Sequence, residues 1–216
     1  MNRRDFIVTA AAIGSAGTSP FALAQAPGGT PPVILVVGDS LSAEYGLKRG
    51  EGWVPLLEQR LRQQKIAATV VNASISGDTS SGGRARLPAL LAQHKPTHLV
   101  LELGANDALR GLPLGNTEEN LTQMTKAAQA AGAKVLIVGI QVPPNYGSDY
   151  TRRFEAIFPK VAATTRAAVV PFLLRGVADG ANAASLFQAD RIHPTAAAQP
   201  VMLDNVWPEL RKLLGK

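Results

Sequence analysis

Short apolar runs alternate along the chain with longer stretches in which apolar residues recur at helical spacing. Such alternation is typical of parallel β-α-β units, in which helices cover both faces of a sheet. The Val-rich and Leu-rich runs predict strands at residues 33–37, 68–72, 98–103, 134–139 and 167–171. The helical spacing predicts helices at residues 53–61, 87–93, 117–131, 151–164 and 195–214. The pattern therefore indicates an α/β fold with about five parallel strands.

The first 24 residues have the features of an export signal. Arg3 and Arg4 form a twin-arginine pair, a modestly apolar stretch follows at residues 7–17, and small residues stand at 22 and 24. This apolar stretch is too short to span a bilayer, so we expect no stable membrane anchor. We predict a twin-arginine-type signal peptide at residues 1–24, a single domain at residues 25–216, and a periplasmic or secreted protein.

Composition narrows the classes of function. The 216 residues include 22 Lys and Arg against 16 Asp and Glu, a formal net charge of +6, but no basic run exceeds two residues. Nucleic-acid binding usually requires a clustered basic face, so we expect no nucleic-acid partner. The chain has no cysteine, which excludes disulfides, a cysteine nucleophile and thiolate metal ligands. We expect a monomer that acts on a small molecule.

The candidate chemistry begins where the first predicted strand ends. Gly38-Asp39-Ser40-Leu41 follows that strand, and open α/β sheets bind their ligands outside the carboxyl ends of their strands. On these four residues alone an ordinary turn is the better explanation, since Gly, Asp and Ser are all turn formers. The hypothesis of a reactive serine therefore depends on partners at the other strand ends.

Later segments supply such partners. Gly77, after the second strand, can bring its backbone N–H close to a reacting group, and Asn106, after the third, offers a neutral donor to a developing negative oxygen. Taken alone, Gly77 is better explained as an ordinary loop glycine, and Asn106 fits a turn as well as an oxyanion hole. Asp190 and His193 stand three residues apart before the last helix, where the carboxylate can hold one imidazole nitrogen and leave the other as a base. The spacing of the three histidines does not predict a metal site.

Taken together, these segments resemble the four sequence blocks of the SGNH, or GDSL, hydrolase family. The blocks are Gly38-Asp39-Ser40-Leu41, Gly77, Gly104-Ala105-Asn106-Asp107 and Asp190-Arg191-Ile192-His193. Residues 71–80, 85–91 and 144–147 are similar to the periplasmic branch of that family, which contains thioesterases, lysophospholipases and arylesterases. The resemblance covers nearly the whole chain after the signal peptide.

The resemblance implies a flavodoxin-like three-layer α/β/α fold with strand order 2-1-3-4-5. It implies that Ser40 is a nucleophile, that His193 is its base and that Asp190 orients the histidine. It also implies that Gly77 and Asn106 complete an oxyanion hole with the Ser40 backbone N–H. The expected reaction is hydrolysis of carboxylic esters and thioesters through an acyl-enzyme, with no cofactor. Asp39, although adjacent to Ser40, is interpreted as support for the turn.

The substrate is less well defined than the reaction. Pro143 stiffens the loop after the fourth strand and Tyr146 offers an apolar wall, so we expect both to contact substrate. The expected substrates are small acyl esters or thioesters, with lysophospholipids among them. Two alternatives remain open, namely a carbohydrate acetyl esterase of the same family and a non-catalytic flavodoxin-like binding module.

Two positions depart from the family pattern. Ala105 stands where a second Gly is frequent, and Arg191 stands where a Gly usually separates the acid from the base. We expect Arg191 to be exposed to solvent and to take no part in catalysis.

Overall fold

The computed structural model describes residues 31–216, and the predicted signal peptide lies outside them. Within the described residues, the sheet consists of β1 (Val33–Gly38), β2 (Thr69–Asn72), β3 (His98–Glu102), β4 (Lys134–Val138) and β5 (Ala168–Val170). All neighbouring strands are parallel, and their order β2-β1-β3-β4-β5 confirms the predicted arrangement. The central strands β1, β3 and β4 are buried at nearly every position, as a parallel sheet covered on both faces requires.

Two groups of helices cover the sheet. The α-helices of the described residues are α1 (Trp53–Gln63), α2 (Ser80–His94), α3 (Ala105–Leu109), α4 (Leu114–Ala130), α5 (Ser148–Glu155), α6 (Ile157–Thr165), α7 (Ala183–Leu186) and α8 (Gln199–Leu213). Helix α1 packs against α8, while α2, α4 and α6 pack in a second group. The result is the predicted flavodoxin-like α/β/α fold. Across residues 31–216, every helix is too short or too polar to cross a membrane.

Helix α2 begins at Ser80, earlier than the sequence pattern predicts. Gly82 and Gly83 have low helix propensity and no apolar side chain, so the sequence pattern does not predict the first turn of α2. Two side chains satisfy the first N–H groups instead. Thr79 Oγ1 accepts from Gly82 N at 3.2 Å, and Asp107 Oδ2 accepts from Ser80 N at 2.8 Å.

The single helix predicted at residues 151–164 is in fact two, α5 and α6, which meet at Ala156. Pro159 favours this break, because proline has no N–H to donate and is best tolerated in the first turn of a helix, where it stands in α6. The pattern does not predict α3 and α7, since five and four residues are too few to reveal a helical period.

Because all five strands are parallel, the sheet has one carboxyl edge, where the strands end, and one amino edge, where they begin. The register of β1 and β3 brings Gly38 beside Glu102 at the carboxyl edge. The segment Gly38-Asp39-Ser40-Leu41 therefore leaves the sheet next to an acidic residue that is 1% exposed.

Candidate active site

Ser40 lies in a tight turn at the end of β1. Asp39 Oδ1 accepts a hydrogen bond from Leu41 N at 3.0 Å, and the Asp39 carbonyl accepts from Ala43 N at 3.0 Å. The side-chain hydrogen bond from Leu41 N is the support of the turn that the sequence predicts for Asp39. Ser40 itself is half-buried, so its hydroxyl is open to the space above the sheet.

Ser40, His193 and Asp190 form a chain of hydrogen bonds. Ser40 Oγ lies 2.9 Å from His193 Nε2, and His193 Nδ1 lies 2.6 Å from Asp190 Oδ2. The other carboxylate oxygen, Asp190 Oδ1, accepts from the backbone N–H groups of Ile192 at 2.9 Å and His193 at 3.0 Å. The structure thus brings together the three residues that the sequence singled out, although 150 positions separate Ser40 from Asp190.

The hydrogen bonds to Asp190 determine its charge. The bond from the His193 side chain, followed by those from the His193 and Ile192 backbone, lowers the pKa of Asp190 to about 2. The carboxylate is therefore ionised throughout the neutral range and can hold the imidazole in one tautomer. The centroids of the Tyr45 and His193 rings are 4.2 Å apart, so Tyr45 packs against the imidazole.

The candidate oxyanion donors stand around the same serine. Neither the Ser40 N–H nor the Gly77 N–H donates to a protein acceptor within residues 31–216. Gly77 has a φ of +80°, a conformation that a side chain disfavours. Asn106 Nδ2 donates to Asp39 Oδ2 at 3.1 Å and to the Asp78 carbonyl at 2.9 Å. The Asn106 amide must therefore release or share one of these acceptors before it can reach a substrate oxygen.

Beneath this turn lies a pair of buried acids that the sequence motifs do not identify as a unit. Asp39 is 0% and Glu102 is 1% exposed. Glu102 Oε2 accepts from Ser42 Oγ at 2.7 Å, while Glu102 Oε1 has no partner among the described residues. Burial, and then the negative charge of Asp39, raises the pKa of Glu102 well above its usual range. Burial also raises the pKa of Asp39, to about 6.

One sequence signal could have found Glu102. It is the acidic residue that ends an otherwise apolar strand, and Lys and Glu are almost never buried without a partner. The unpartnered Oε1 adds to the cost of burying the charged carboxylate, in line with the raised pKa of Glu102. Burial thus favours the neutral form of Glu102, while Asp39, with a pKa of about 6, is the acid of the pair that can ionise near neutral pH.

An apolar cavity of about 600 Å³ opens beside Ser40 and His193. Its apolar lining includes Leu109, Ile140, Val142, Phe172, Leu174 and Phe187. Pro143, which is predicted to contact substrate, also lines this cavity. Tyr146 is not among the lining residues, and its hydroxyl donates instead to the Leu109 carbonyl at 3.4 Å.

Arg191 is exposed, as predicted, but its side chain also lines the cavity. Its φ is +58°, which explains why a glycine suits this position between the acid and the base. His98, by contrast, lies at the amino edge, where its Nε2 contacts the Leu213 carbonyl at 3.2 Å. Residues 31–216 contain no group of three or more His, Asp or Glu side chains that could hold a metal ion.

A hydrogen-bonded Ser, His and Asp at the carboxyl edge of a parallel α/β sheet is the arrangement found in serine hydrolases. Comparison with known proteins agrees with this class. Residues 36–200 match the GDSL-like Lipase/Acylhydrolase family. The chain is 54% identical to Esterase TesA of Pseudomonas aeruginosa over 181 residues, which is 84% of this chain and 89% of TesA.

Two further comparisons point the same way. The chain is 41% identical over 182 residues to Thioesterase 1/protease 1/lysophospholipase L1 of Escherichia coli K12, covering 84% of this chain and 85% of that protein. The crystal structure of TesA superposes with a TM-score of 0.81 at 53% identity and covers 84% of this chain and 99% of TesA. The chain therefore belongs to the GDSL-like lipase/acylhydrolase family, and it is an ester or thioester hydrolase.

Proposed function

We propose that Ser40 is the nucleophile of this hydrolase, with His193 as general base and Asp190 as the residue that orients it. The observation that carries the proposal is the continuous hydrogen-bond chain from Ser40 Oγ through the imidazole to Asp190. Ser40 Oγ attacks the carbonyl carbon while its proton moves to His193 Nε2. His193 then gives that proton to the leaving alcohol or thiol, and an acyl-enzyme remains on Ser40.

In the second half of the reaction, water attacks the acyl-enzyme and His193 again accepts a proton. The ionised Asp190 stabilises the imidazolium formed in both halves. The negative oxygen of each tetrahedral intermediate receives hydrogen bonds from the Ser40 and Gly77 N–H groups and from the Asn106 amide. Removal of one such donor typically lowers kcat by about 10²–10³-fold.

We propose that the apolar cavity beside Ser40 accepts the acyl chain. Aliphatic and aromatic walls favour a hydrocarbon chain over an acetylated sugar, whose hydroxyls would need polar partners. Pro143 would contact this chain directly, whereas Tyr146 would act at the entrance. Substrates of this kind include acyl thioesters and lysophospholipids, and the relatives named as esterase, thioesterase and lysophospholipase agree with that range.

A serine-reactive phosphonate tests the assignment of Ser40. We expect one covalent adduct, mapped by mass spectrometry to Ser40, with simultaneous loss of ester turnover. The Ser40→Ala variant should give neither adduct nor turnover. If Ser40→Ala hydrolyses esters at the wild-type rate, the proposed nucleophile is wrong.

A substrate series tests the acyl-chain proposal separately. Nitrophenyl esters and acyl thioesters of increasing chain length are compared with acetylated sugars at equal enzyme concentration. We expect kcat/KM to rise with chain length until the cavity is filled. A preference for acetylated sugars would identify the enzyme as a carbohydrate acetyl esterase instead.

We further propose that the protein is exported through its twin-arginine segment, is cleaved after Ala24 and acts as a periplasmic or secreted monomer. The sequence features of residues 1–24 support this proposal. Expression of the full chain in a bacterial host tests it by N-terminal sequencing of the periplasmic product and by light scattering. A product that stays in the cytoplasm with residues 1–24 attached would contradict it.

A further inference from the structure

The basic residues that are scattered along the sequence gather in space at the amino edge of the sheet. We define the basic edge as five exposed side chains there, namely Lys65, Lys95, Lys134, Arg166 and Arg211. Each lies where a helix ends or a strand begins, and Lys134 Nζ donates to the Leu213 carbonyl at 2.8 Å. None of the five forms a salt bridge with a carboxylate of residues 31–216.

No acidic side chain opposes these cations from the same connections. The segments at residues 64–68, 95–97, 131–133, 166–167 and 214–216 contain no Asp or Glu. The acids of α1 and α8 are already paired, Glu58 with Arg62 at 3.7 Å, Asp204 with Arg60 at 2.7 Å and Glu209 with Lys212 at 2.7 Å. The five cations of the basic edge are therefore opposed by the partial negative charge of the helix C-termini and not by a carboxylate of these connections.

The carboxyl edge has no such excess of positive charge. Its connections carry the exposed cations Lys48, Arg49, Arg110, Arg175 and Arg191, but they also carry the acids Glu44, Glu51, Asp78, Asp107, Asp179 and Asp190. The exposed large apolar side chains of the described residues also lie on its loops, at Tyr45, Ile75, Leu112, Tyr146 and Ile192. The net positive charge is therefore greater at the edge that is farther from Ser40, because acids offset the cations at the carboxyl edge.

Three cations of the basic edge occupy strained backbone positions. Lys65, Lys95 and Arg166 have φ values of 55°, 44° and 57°, in the left-handed region that follows a helix. Glycine or asparagine takes this conformation with little strain, whereas other residues do not. The dipole of each preceding helix favours a cation at its end and offsets part of that strain. Because each of these helices ends at the amino edge, the cations that follow them lie on one face of the protein.

We propose that the basic edge binds the protein to an anionic lipid bilayer and leaves the active site facing the water. A charged bilayer needs cations near its surface and no pocket, which is what this edge offers. A single-stranded nucleic acid would also need exposed aromatic side chains for stacking, and the exposed tyrosines lie at the other edge.

The orientation has a measurable consequence. A strand of five residues separates the two edges by roughly 16 Å, whereas charges are screened over about 8 Å at physiological salt. Binding through the basic edge should thus leave hydrolysis of a soluble ester unchanged. Binding through the apolar side chains around Ser40 would instead obstruct the cavity.

The experiment is co-sedimentation of the processed protein, purified after expression of the full chain, with vesicles. Vesicles of phosphatidylcholine that contain about 30% phosphatidylglycerol, or none, are compared at low and high salt, because the anionic lipid gives the surface a negative potential. We expect binding only to the anionic vesicles, with loss of binding at high salt. A soluble ester should be hydrolysed equally fast by bound and free protein.

Two triple variants locate the binding surface. In the first, Lys65, Lys95 and Arg166 are each changed to Asn, which removes three charges and suits the left-handed backbone. We expect this variant to bind roughly 100-fold more weakly, about five-fold for each cation near an anionic surface. The matched control removes three charges near the carboxyl edge, as Lys48→Gln, Arg49→Gln and Arg153→Gln. It should bind within about threefold of the wild type, because its changes lie beyond the screening length.

A third variant tests the opposite orientation. Ile75→Ser combined with Leu112→Ser removes two exposed apolar side chains that do not line the cavity. Weaker binding of this variant, with unchanged binding of the Asn variant, would overturn the proposal. Equal binding to neutral and anionic vesicles, or no binding at low salt, would overturn it as well. The readout is independent of turnover, so such a failure would leave the assignment of Ser40 intact.

Discussion

Asp39 and Asn106 are joined by a hydrogen bond in which the Asn106 amide nitrogen donates to Asp39 Oδ2 over 3.1 Å. The same carboxylate supports the turn through Leu41 N. Asp39 therefore connects the backbone that carries Ser40 to the side chain proposed to bind the oxyanion. Its part in the site is larger than the turn support that the sequence suggests.

We predict that Asp39→Ala lowers kcat by roughly 10-fold to 100-fold, somewhat less than the loss of an oxyanion donor, while KM changes little. The reason is that Asn106 loses one of its two acceptors and Leu41 N loses its partner. Steady-state kinetics on a soluble ester measures both constants. Asp39→Asn is the control, because its amide oxygen can still accept one of these hydrogen bonds. Unchanged kcat in Asp39→Ala would show that Asn106 is held by Asp78 alone.

Asp39 should also make the stability of the protein depend on pH. Its pKa is about 6 in the folded protein against 3.8 for the free side chain, so the folded state binds more protons between these values. Stability contributed by the protonated acid is present below pH 3.8 and is lost as the pH rises towards 6. A variant that lacks the Asp39 carboxyl should therefore not lose this stability as the pH rises.

We therefore expect Asp39→Asn to gain about 2–3 kcal/mol in free energy of unfolding relative to wild type between pH 3.5 and pH 8. Urea denaturation of both proteins at a series of pH values measures the difference. Each protein serves as its own reference at the lowest pH, where Asp39 is neutral. Parallel curves for the two proteins would mean that Asp39 titrates normally.

Glu102 is expected to act in its protonated form. Glu102→Gln keeps the shape, and its amide oxygen can still accept from Ser42 Oγ, so we expect activity and stability close to wild type. Glu102→Leu removes that hydrogen bond and leaves Ser42 to Trp53 alone, so we expect about 1–3 kcal/mol less stability and a lower kcat.

Infrared difference spectroscopy tests the protonation state of Glu102 without reference to activity. A protonated carboxyl band should persist above neutral pH in the wild type and disappear in Glu102→Gln. A strong loss of activity in Glu102→Gln, together with absence of that band, would show that Glu102 works as a carboxylate.

The fold could be predicted from sequence because apolar runs mark the strands, and the grouping of Ser40, Asp190 and His193 could be predicted because of the family resemblance. Ser40 follows β1 directly, whereas Asp190 and His193 lie on the connection from β5 to α8, which the parallel sheet brings to the same edge. The contacts of Glu102 and the clustering of the basic edge could not be predicted in the same way, because both depend on which strands become neighbours in the sheet. Cations that never occur in runs longer than two form one face only because every helix-to-strand connection returns to the amino edge.

The same register explains why residue 38 is a glycine. Gly38 does not have a positive φ, so its backbone conformation is open to other residues. A Cβ added at this position would lie 2.8 Å from Glu102 Oε2 and 2.8 Å from Ser42 Oγ, closer than real Cβ contacts. The glycine therefore makes room for the buried acid and its partner.

We predict that Gly38→Ala destabilises the protein by about 1–3 kcal/mol, the range for an overpacked core, and lowers kcat because Ser40 lies two residues further along. Urea denaturation and ester kinetics measure the two effects. Gly115→Ala is the matched control, since Gly115 lies in α4 with nothing within 4 Å of the added Cβ. That control should instead gain about 0.4–1 kcal/mol by restricting the unfolded chain. Equal stability changes in the two variants would mean that Glu102 and Ser42 move aside without loss, and that the close packing beneath Ser40 is not what maintains its turn.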